Sequence, residues 1–449
     1  MENTKKKFKL GLLPKLGIGI AVGIALGLFA SADITGIWAL IGNVIMRIYA
    51  TITHLFGQQL LVFLIPFIIM GFLIPGITQI GKNAGRMVGL VAAFAYAMTF
   101  AAGLIAYFMT DALSNLIVAG VSLEQLGYGV DAPEPFITLA IPPLMGVITA
   151  LATSFIVGIF LTNMKGENTL KKVAFDFQNV MKQAITKIII PVLPFHISGL
   201  FAIMAYQGEI AAAMGVFVRL FIMIIITDIL FLFVLYAIGG GLYKANPFSL
   251  MRKMIPTYLT ALGTQSSLAT MPINYINVRA IGVNAKVTDF IVPFGATILL
   301  AGSTMSIVSC AVIVMVLFGM EVSLVTFLPF IFMLGIMMVA APGVPGGAIM
   351  AALGAIEVSL GFSGEMMAIM MVLYFAQDSL GTAVNITSDG AVALYLNRIL
   401  GHKKLTPMTH KEAEAQFTQS EAMKEAMAAE EGFANANAEE AVQAAKADV

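Results

Sequence analysis

Charged residues are scarce in this sequence. Asp, Glu, Lys and Arg make up 11% of the 449 residues, whereas 59% are hydrophobic and the mean hydropathy is +0.92. This balance excludes a soluble globular protein and indicates a chain with many membrane-spanning helices. The formal net charge is +0, so no basic excess predicts a nucleic-acid partner. Cysteine occurs once, at Cys310, which excludes an intrachain disulfide and a thiolate metal site.

A cleavable signal peptide is also missing from the sequence. Four lysines at positions 5, 6, 7 and 9 precede an apolar run that extends to residue 30. No small-residue cleavage site ends a short apolar core in this run. The run therefore predicts a retained first transmembrane helix, and its basic flank predicts a cytoplasmic N-terminus.

Apolar runs long enough to cross a bilayer, about 20 residues each, recur along the chain. Basic residues follow every second run, which predicts that these loops and both termini are cytoplasmic. A polar segment at 111–134 is too hydrophilic to cross. The predicted transmembrane helices lie at 12–30, within 38–77, and at 87–109, 136–161, 185–206, 211–238, 287–318 and 366–400.

Two further apolar runs contain breaks that favour a reversal of the chain. Residues 254–281 are interrupted by Gly-Thr-Gln-Ser-Ser at 263–267, and residues 324–356 by Ala-Pro-Gly-Val-Pro-Gly-Gly at 341–347. If both runs turn back, the following basic residues stay inside and the following acidic residues stay outside. The sequence thus predicts an all-α polytopic membrane protein with eight transmembrane helices and two re-entrant helical hairpins of opposite orientation. Two ordinary kinked spans are the alternative.

The last span carries a ladder of oxygen-bearing side chains. Asp378, Thr382, Asn385 and Asp389 follow one another at i, i+4, i+7 and i+11, which places them on one helix face. A charged side chain at bilayer depth costs at least ~2.5 to 3.5 kcal/mol unless a cation compensates it. This stripe predicts a site for cations and a cationic substrate. Alternatively, Asp389 lies in water near the helix end and Asp378 caps a neighbouring helix.

The order of these segments and four motifs carry a resemblance to a known family. The motifs are Thr-Gln-Ser-Ser-Leu-Ala-Thr-Met-Pro at 264–272, Pro-Phe-Gly-Ala-Thr-Ile at 293–298, Gly-Val-Pro-Gly-Gly-Ala at 343–348 and the polar face at 378–389. Over residues 1–404 the chain resembles the dicarboxylate/amino acid:cation symporters, the glutamate-transporter-like or sodium:dicarboxylate symporter family.

This resemblance implies a homotrimer in the cell (inner or plasma) membrane, with a scaffold and a mobile transport domain of the elevator type. Residues 1–247 would mainly form the scaffold through spans 1, 2, 4 and 5, while spans 3 and 6 join the transport domain. Residues 248–404 would form the transport core, which consists of hairpin 1, span 7, hairpin 2 and span 8. Residues 405–449 are an acidic, Ala-rich cytoplasmic tail to which no chemistry is assigned.

The resemblance also implies a substrate site. In the family, an Asp at the position of Asp378 takes the substrate's ammonium group, and an Asn at the position of Asn385 takes its α-carboxylate. The physics agrees, because a buried carboxylate without a basic neighbour favours a cation. The other substrate-binding residues come from both hairpin tips and from span 8: Ser266, Ser267, Val344, Gly346, Gly381 and Thr382.

Sodium is the coupling ion that the resemblance implies, and no organic cofactor is expected. Alkali cations in proteins take oxygen ligands. One family site would lie between Asp389, Asn385 and span-7 carbonyl groups near Gly295. A second would use mainly carbonyl groups around hairpin 2 together with Thr297.

Two departures from the family change the expected cargo. A third family sodium site needs the Asn and the Asp of an Asn-Met-Asp-Gly-Thr motif in span 7, together with hydroxyls of span 3, for which Thr99 is the candidate here. This chain has Leu-Leu-Ala-Gly-Ser at 299–303 and therefore lacks the carboxylate of that site. We therefore expect fewer sodium ions than in acidic-substrate members, or protons instead.

Those members also carry an Arg that clamps the substrate's second carboxylate, where this chain has Gly381. Without it, a second carboxylate would be buried near Asp378, so a neutral amino acid is expected.

The sequence thus predicts a secondary active symporter, not an enzyme, that imports a neutral amino acid with sodium. A proton-coupled symporter, or one for acidic amino acids or C4-dicarboxylates, is the alternative within the family. A channel is disfavoured because no repeated ring of one charge or carbonyl filter loop occurs. An intramembrane aspartyl hydrolase is disfavoured because Asp378 and Asp389 lie about 16 Å apart along one helix.

Overall fold

The computed structural model of the protein describes residues 12–31, 36–80, 86–119, 134–139, 141–142, 144–164, 168–207, 210–341 and 346–420. Within these residues the regular structure is helical and no strand occurs, which confirms the predicted all-α class. The helices in chain order are α1 Leu12–Ser31, α2 Ile37–Thr53, α3 Leu61–Ile80, α4 Arg86–Ile117, α5 Val147–Asn163, α6 Thr169–Ala184, α7 Ile190–Tyr206, α8 Ile210–Gly241, α9 Pro247–Thr264, α10 Ser267–Ala280, α11 Ala285–Ile298, α12 Ala301–Leu317, α13 Leu324–Ala340, α14 Gly347–Leu360, α15 Gly364–Ile399 and α16 His410–Gln419.

Five stretches in the described part of the chain are helical, long and apolar enough to cross a bilayer. They are Pro14–Ser31, Ile37–Phe56, Gly89–Ile117, Met214–Gly241 and Ala285–Leu317. The fourth predicted span is shorter than expected: its helix begins at Val147 rather than at residue 136. Two successive prolines at 142 and 143 explain the late start, because proline disfavours helical geometry in the residue before it and lacks an N–H.

Two of the predicted spans continue through π-helical turns. Residues His54–Leu60 join α2 to α3, and residues Ile185–Ile189 join α6 to α7. A π-helical turn inserts extra backbone into a helix and often marks a functional position. Pro66 and Pro75 both lie inside α3, where proline favours a kink.

Glycines let α1 and α7 approach closely. Gly19, Gly23 and Gly27 recur every four residues along one face of α1. A Cβ atom on Gly19 would lie 2.7 Å from the carbonyl oxygen of Pro194, and one on Gly23 would overlap the carbonyl group of Ser198. Small residues at this spacing are typical of helix contacts in membranes, where close backbone packing replaces the hydrophobic effect.

The two interrupted apolar runs each form a pair of consecutive helices that pack against each other, α9 with α10 and α13 with α14. The first pair is separated by Gln265 and Ser266, and Gln265 adopts a left-handed conformation with φ 54°. The second pair is separated by a segment whose residues 342–345 lie outside the described part. Packed consecutive helices are what a hairpin requires, while their re-entry into a bilayer stays a prediction.

The seventh predicted span is not one continuous helix. Leu299 and Leu300 have ψ angles of 86° and 36°, so the helical geometry of α11 ends there and that of α12 begins after it. Backbone groups at such a break fall outside the regular intrahelical hydrogen bonds. Residues 298–315, which include the break, are all buried inside the protein, where an interrupted helix is tolerated.

By packing, the chain divides into two compact units. The first comprises Met1–Asp228 and Leu300–Gly381, and the second comprises Ile229–Leu299 and Thr382–Val449. Helix α15 contributes its first half to the first unit and its second half to the second. This division rests on packing alone, and the assignment of scaffold and transport domain stays a prediction.

Candidate functional site

Helix α15 carries the predicted polar ladder as one uninterrupted helix of 36 residues. Asp378, Thr382, Asn385 and Asp389 are 4%, 7%, 2% and 0% exposed. The stripe therefore faces the protein interior, as the prediction required, and does not face lipid. Asp378 belongs to the first packing unit and the other three residues to the second, so each environment is described separately.

In the first unit, Asp378 accepts a hydrogen bond from the start of α14. The backbone N–H of Gly346 donates to Oδ2 of Asp378 over 2.8 Å. Gly346 has φ 72°, a left-handed conformation that strongly favours glycine. A Cβ atom at this position would also overlap the ring of Phe375. Asp378, which is predicted to bind a substrate ammonium group, thus accepts a hydrogen bond from the backbone N–H at the start of the second helix of the α13–α14 pair.

Gly381 lies against the first turn of α12. A Cβ atom on Gly381 would be 3.1 Å from the backbone nitrogen of Ser303 and 3.2 Å from the carbonyl carbon of Gly302. These distances are tighter than ordinary van der Waals contact, and the neighbours are backbone atoms that cannot rotate away. A long side chain in place of Gly381 would require a shift of α12 or of α15.

In the second unit, Asp389 is completely buried beside α10. The Nδ2 group of Asn274 donates to Oδ2 of Asp389 over 3.0 Å. Within the described residues, Oδ1 of Asp389 and Oδ1 of Asn274 have no hydrogen-bond partner. A buried carboxylate oxygen without a partner is an uncompensated acceptor, which a cation can satisfy.

Glycine also brings the α11 backbone close to this carboxylate. A Cβ atom on Gly295 would lie only 2.8 Å from Oδ1 of Asp389, the oxygen without a partner. Any larger residue at position 295 would therefore occupy the space beside that oxygen. The geometry brings together two of the residues predicted for the first sodium site, Asp389 and Gly295.

The sequence model of the sodium:dicarboxylate symporter family matches residues 12–399. The chain belongs to this family. The match covers all of the helices that carry the two carboxylate environments. It also confirms the resemblance inferred from the hairpin and span-8 motifs.

Relatives of this chain include transporters of two bacteria. A serine/threonine transporter SstT of Campylobacter jejuni is 26% identical over 398 residues, which is 85% of this chain and 93% of that protein. A serine/threonine transporter SstT of Acinetobacter baumannii is 26% identical over 246 residues, 52% of this chain and 59% of that protein. The chain thus aligns with little more than half the length of the Acinetobacter relative. The family and these relatives are transporters, which confirms the prediction of a transporter rather than an enzyme.

Other predicted site residues of the symporter lie in varied surroundings. Ser266 caps α10, and its side-chain oxygen accepts a hydrogen bond from the Ala269 N–H over 3.2 Å. Ser267 follows it and is buried. The half-buried Thr297 donates its hydroxyl to the carbonyl oxygen of Phe294 over 2.7 Å, within its own helix. Their substrate and ion roles stay predictions.

The two remaining predicted site residues are Thr99 and Val344. Thr99 is fully buried in α4, and its hydroxyl has no hydrogen-bond partner among the described residues. Helix α4 packs against α12, the helix that lacks the family's third-site carboxylate. Val344 lies outside the described residues.

Asn274 is the site residue that the sequence analysis missed. It lies on α10 in a stripe of buried polar residues spaced i, i+3, i+7 and i+10. The stripe consists of Ser267, Thr270, Asn274 and Asn277. This periodicity was visible in the sequence and indicates that one face of α10 meets polar partners.

Buried tyrosines fix the second half of α15 in place. The Tyr236 hydroxyl donates to the carbonyl oxygen of Thr387 over 2.8 Å, and the Tyr395 hydroxyl donates to that of Leu235 over 2.6 Å. Earlier in the helix, the Gln377 side chain donates to the sulfur of Cys310. Cys310 is buried and therefore contributes to helix packing.

We predict that Gly346→Ala destabilises the protein more than Gly361→Ala. Both glycines adopt a left-handed conformation, with φ 72° and 69°, so both substitutions cost about 1 kcal/mol of backbone strain. Only position 346 adds a collision with Phe375, because nothing lies within 4 Å of a Cβ atom on Gly361. Thermal unfolding of the purified variants measures the difference, and equal melting temperatures would show that the Gly346 contact is not tightly packed.

Proposed function

We propose that this symporter imports a neutral amino acid together with sodium by alternating access. The observation that carries the proposal is the pair of buried carboxylates on α15. Among the described residues, Oδ1 of Asp389 has no hydrogen-bond partner, and neither has Oδ1 of Asn274, whose Nδ2 group donates to the other carboxylate oxygen. Because buried charge without compensation is costly, this arrangement favours a bound cation during the transport cycle.

Sodium is the cation that we assign to the Asp389 environment. A carboxylate oxygen and an amide oxygen are the hard ligands that alkali cations take. Asn385 and the α11 backbone near Gly295 are proposed as further ligands. Thr297 and Thr99 are proposed for additional sites, of which the Thr99 site lacks the carboxylate that other family members supply. Membership of the sodium:dicarboxylate symporter family supports sodium as the coupling ion.

Asp378 is the group that we assign to the substrate's ammonium. In the present conformation it accepts the Gly346 N–H. An ammonium group can take the same carboxylate, and the released N–H of Gly346 can then bind the substrate carboxylate. Ser266, Ser267, Thr382 and Asn385 are proposed to complete the substrate site, together with Val344.

A neutral substrate is favoured for two reasons. Gly381 brings no positive charge, and the close backbone of Gly302 and Ser303 leaves no space for a guanidinium group at that position. The relatives from Campylobacter and Acinetobacter are named serine/threonine transporters, which supports a small neutral amino acid.

The helix lengths support the proposed hairpins. Helices α10 and α14, the second helix of each pair, contain 14 residues each. A helix of 14 residues is shorter than the roughly 17 residues that a transmembrane helix needs at the least. We propose that the two pairs re-enter the membrane and form the gates of an elevator-type transport domain. A homotrimer in the cell membrane, with both termini cytoplasmic, is part of the same proposal.

Transport in proteoliposomes tests the function. An inward sodium gradient should drive accumulation of labelled serine, threonine or alanine, and unlabelled neutral amino acids should compete better than glutamate or a C4-dicarboxylate. Accumulation that needs neither a sodium nor a proton gradient would refute symport. Accumulation driven by protons alone would refute the coupling ion, and stronger competition by glutamate would refute the substrate class.

Gly295→Ala tests the assignment of sodium to Asp389. The new Cβ atom would occupy the space 2.8 Å from the unpartnered oxygen of Asp389. We expect the half-saturating sodium concentration for uptake to rise at least about tenfold, equivalent to about 1.4 kcal/mol.

Gly263→Ala is the matched control, because nothing lies within 4 Å of a Cβ atom there and both positions are helical. It should leave the sodium dependence unchanged. Equal sodium dependence in the two variants would remove the ion from Asp389.

A further inference from the structure

The chain continues beyond the part that matches the family, and the first part of that extension is ordered. The family match ends at residue 399, whereas α16 spans His410–Gln419. Thr409 and Glu412 form a capping box at its start. Hydrogen bonds from the Thr409 N–H and hydroxyl lower the pKa of Glu412, so this cap is ionised at neutral pH. The helix thus has its own start signal.

One face of α16 is turned towards the protein. Ala413 is fully buried, Gln416 and Phe417 are half-buried, and the intervening Glu414 and Ala415 are exposed. The buried positions follow the i, i+3, i+4 spacing of a single helix face. This face packs against α10, the second helix of the first pair.

A buried arginine on α10 makes the strongest contact with this face. Arg279, in the last turn of α10, is only 5% exposed. Its Nε and Nη2 atoms donate to Oε1 of Gln416 over 2.8 and 2.6 Å, and Nη1 donates to the carbonyl oxygen of Val283. Hydrogen bonds from a charged donor are the stronger kind. Gln416 therefore satisfies a guanidinium group that is otherwise largely shielded from water.

A second contact joins the end of α16 to α10 and α11. The hydroxyls of Tyr275 and Ser420 both donate to Oδ1 of Asp289 over 2.9 Å. The rings of Tyr275 and Phe417 pack with their centres 5.6 Å apart. Asp289 thus links the two helices and the extension.

A third contact lies at the turn between α10 and α11. The Thr406 N–H donates to the carbonyl oxygen of Gly282 over 3.0 Å. Gly282 has φ 101°, and a Cβ atom there would lie 2.8 Å from the backbone nitrogens of Thr406 and Pro407. The extension thus follows this turn closely, and the turn accepts it only with glycine at position 282.

We propose that residues 406–420, here called the clamp segment, occupy a docking surface on α10 and α11 and thereby position the Ser266–Ser267 tip for substrate. The surface is made by Arg279, Tyr275, Gly282 and Asp289. Helix α10 begins at Ser267 and ends beside this surface, so one helix of 14 residues, with Pro272 inside it, connects the clamped end to the tip. This proposal rests on the proposed transport function only in taking an amino acid substrate as the ligand that the tip binds.

The matched pair Gln416→Ala and Gln419→Ala tests the clamp in the full chain. Both residues are on α16, but Gln419 is exposed and no hydrogen bond to α10 involves it among the described contacts. Loss of a hydrogen bond to a charged group changes an equilibrium constant by about tenfold or more. We expect Gln416→Ala to raise the KM for amino acid uptake about tenfold while kcat changes little, and Gln419→Ala to leave both unchanged.

Hydrogen exchange gives a readout that does not need transport. A chain that ends at Leu405 should exchange faster than a chain that ends at Ser420, both at the turn 281–284 and at the tip 264–270. Faster exchange at both places supports the clamp. Faster exchange at the turn alone would show that the clamp segment stabilises only its immediate surroundings, which overturns its positioning role. An unchanged KM in Gln416→Ala would overturn that role as well.

These outcomes are separable from the function itself. If the wild-type protein transports no amino acid in a sodium gradient, the proposed function fails. Hydrogen exchange at the tip then decides by itself whether the clamp segment positions the tip. If uptake is normal but tip exchange is the same in both truncated chains, the clamp fails and the function stands.

Discussion

The burial of two carboxylates on one helix is the constraint on which the rest of this structure depends. Asp378 and Asp389 lie on α15, an uninterrupted helix, and both are almost wholly shielded from solvent. Each accepts a hydrogen bond within its own packing unit, Asp378 from the Gly346 N–H and Asp389 from the Asn274 side chain. Hydrogen bonds alone do not offset the full cost of a buried charge. This cost supports the proposal that positive charge from outside the protein compensates the two carboxylates.

Glycine allows the backbone to reach these carboxylates. Gly295 brings α11 next to Asp389, Gly346 turns its N–H towards Asp378, and Gly381 allows the first turn of α12 to touch α15. In each case a side chain would either displace a carboxylate, collide with a ring or press on backbone atoms. Close backbone approach is a common property of sites where unwound or capped helices bind ions and small anions in membranes. The substrate preference that we propose follows from the third of these contacts.

Much of this was visible in the sequence, since periodicity and charge placement are local signals. The i, i+4, i+7, i+11 ladder predicted the buried stripe, and the family motifs predicted the membership that the family match confirms. The break at Leu299 and Leu300 was not predictable from propensity, because leucine and the following alanine favour helices. Only tertiary packing opposes that preference. The polar stripe of α10 was visible in the sequence, but the role of Asn274 was missed because spacing along one helix does not identify a partner on another.

The most direct test of this account is a thermal-shift matrix of the wild-type protein, Asp378→Asn and Asp389→Asn, each with sodium and with a neutral amino acid. A ligand raises the melting temperature only if it binds the folded state. The account predicts that Asp389→Asn reduces stabilisation by sodium, while Asp378→Asn keeps it in full and loses stabilisation by the amino acid. Stabilisation by sodium that is as large in Asp389→Asn as in the wild-type protein would contradict the claim that a cation neutralises this buried carboxylate of α15.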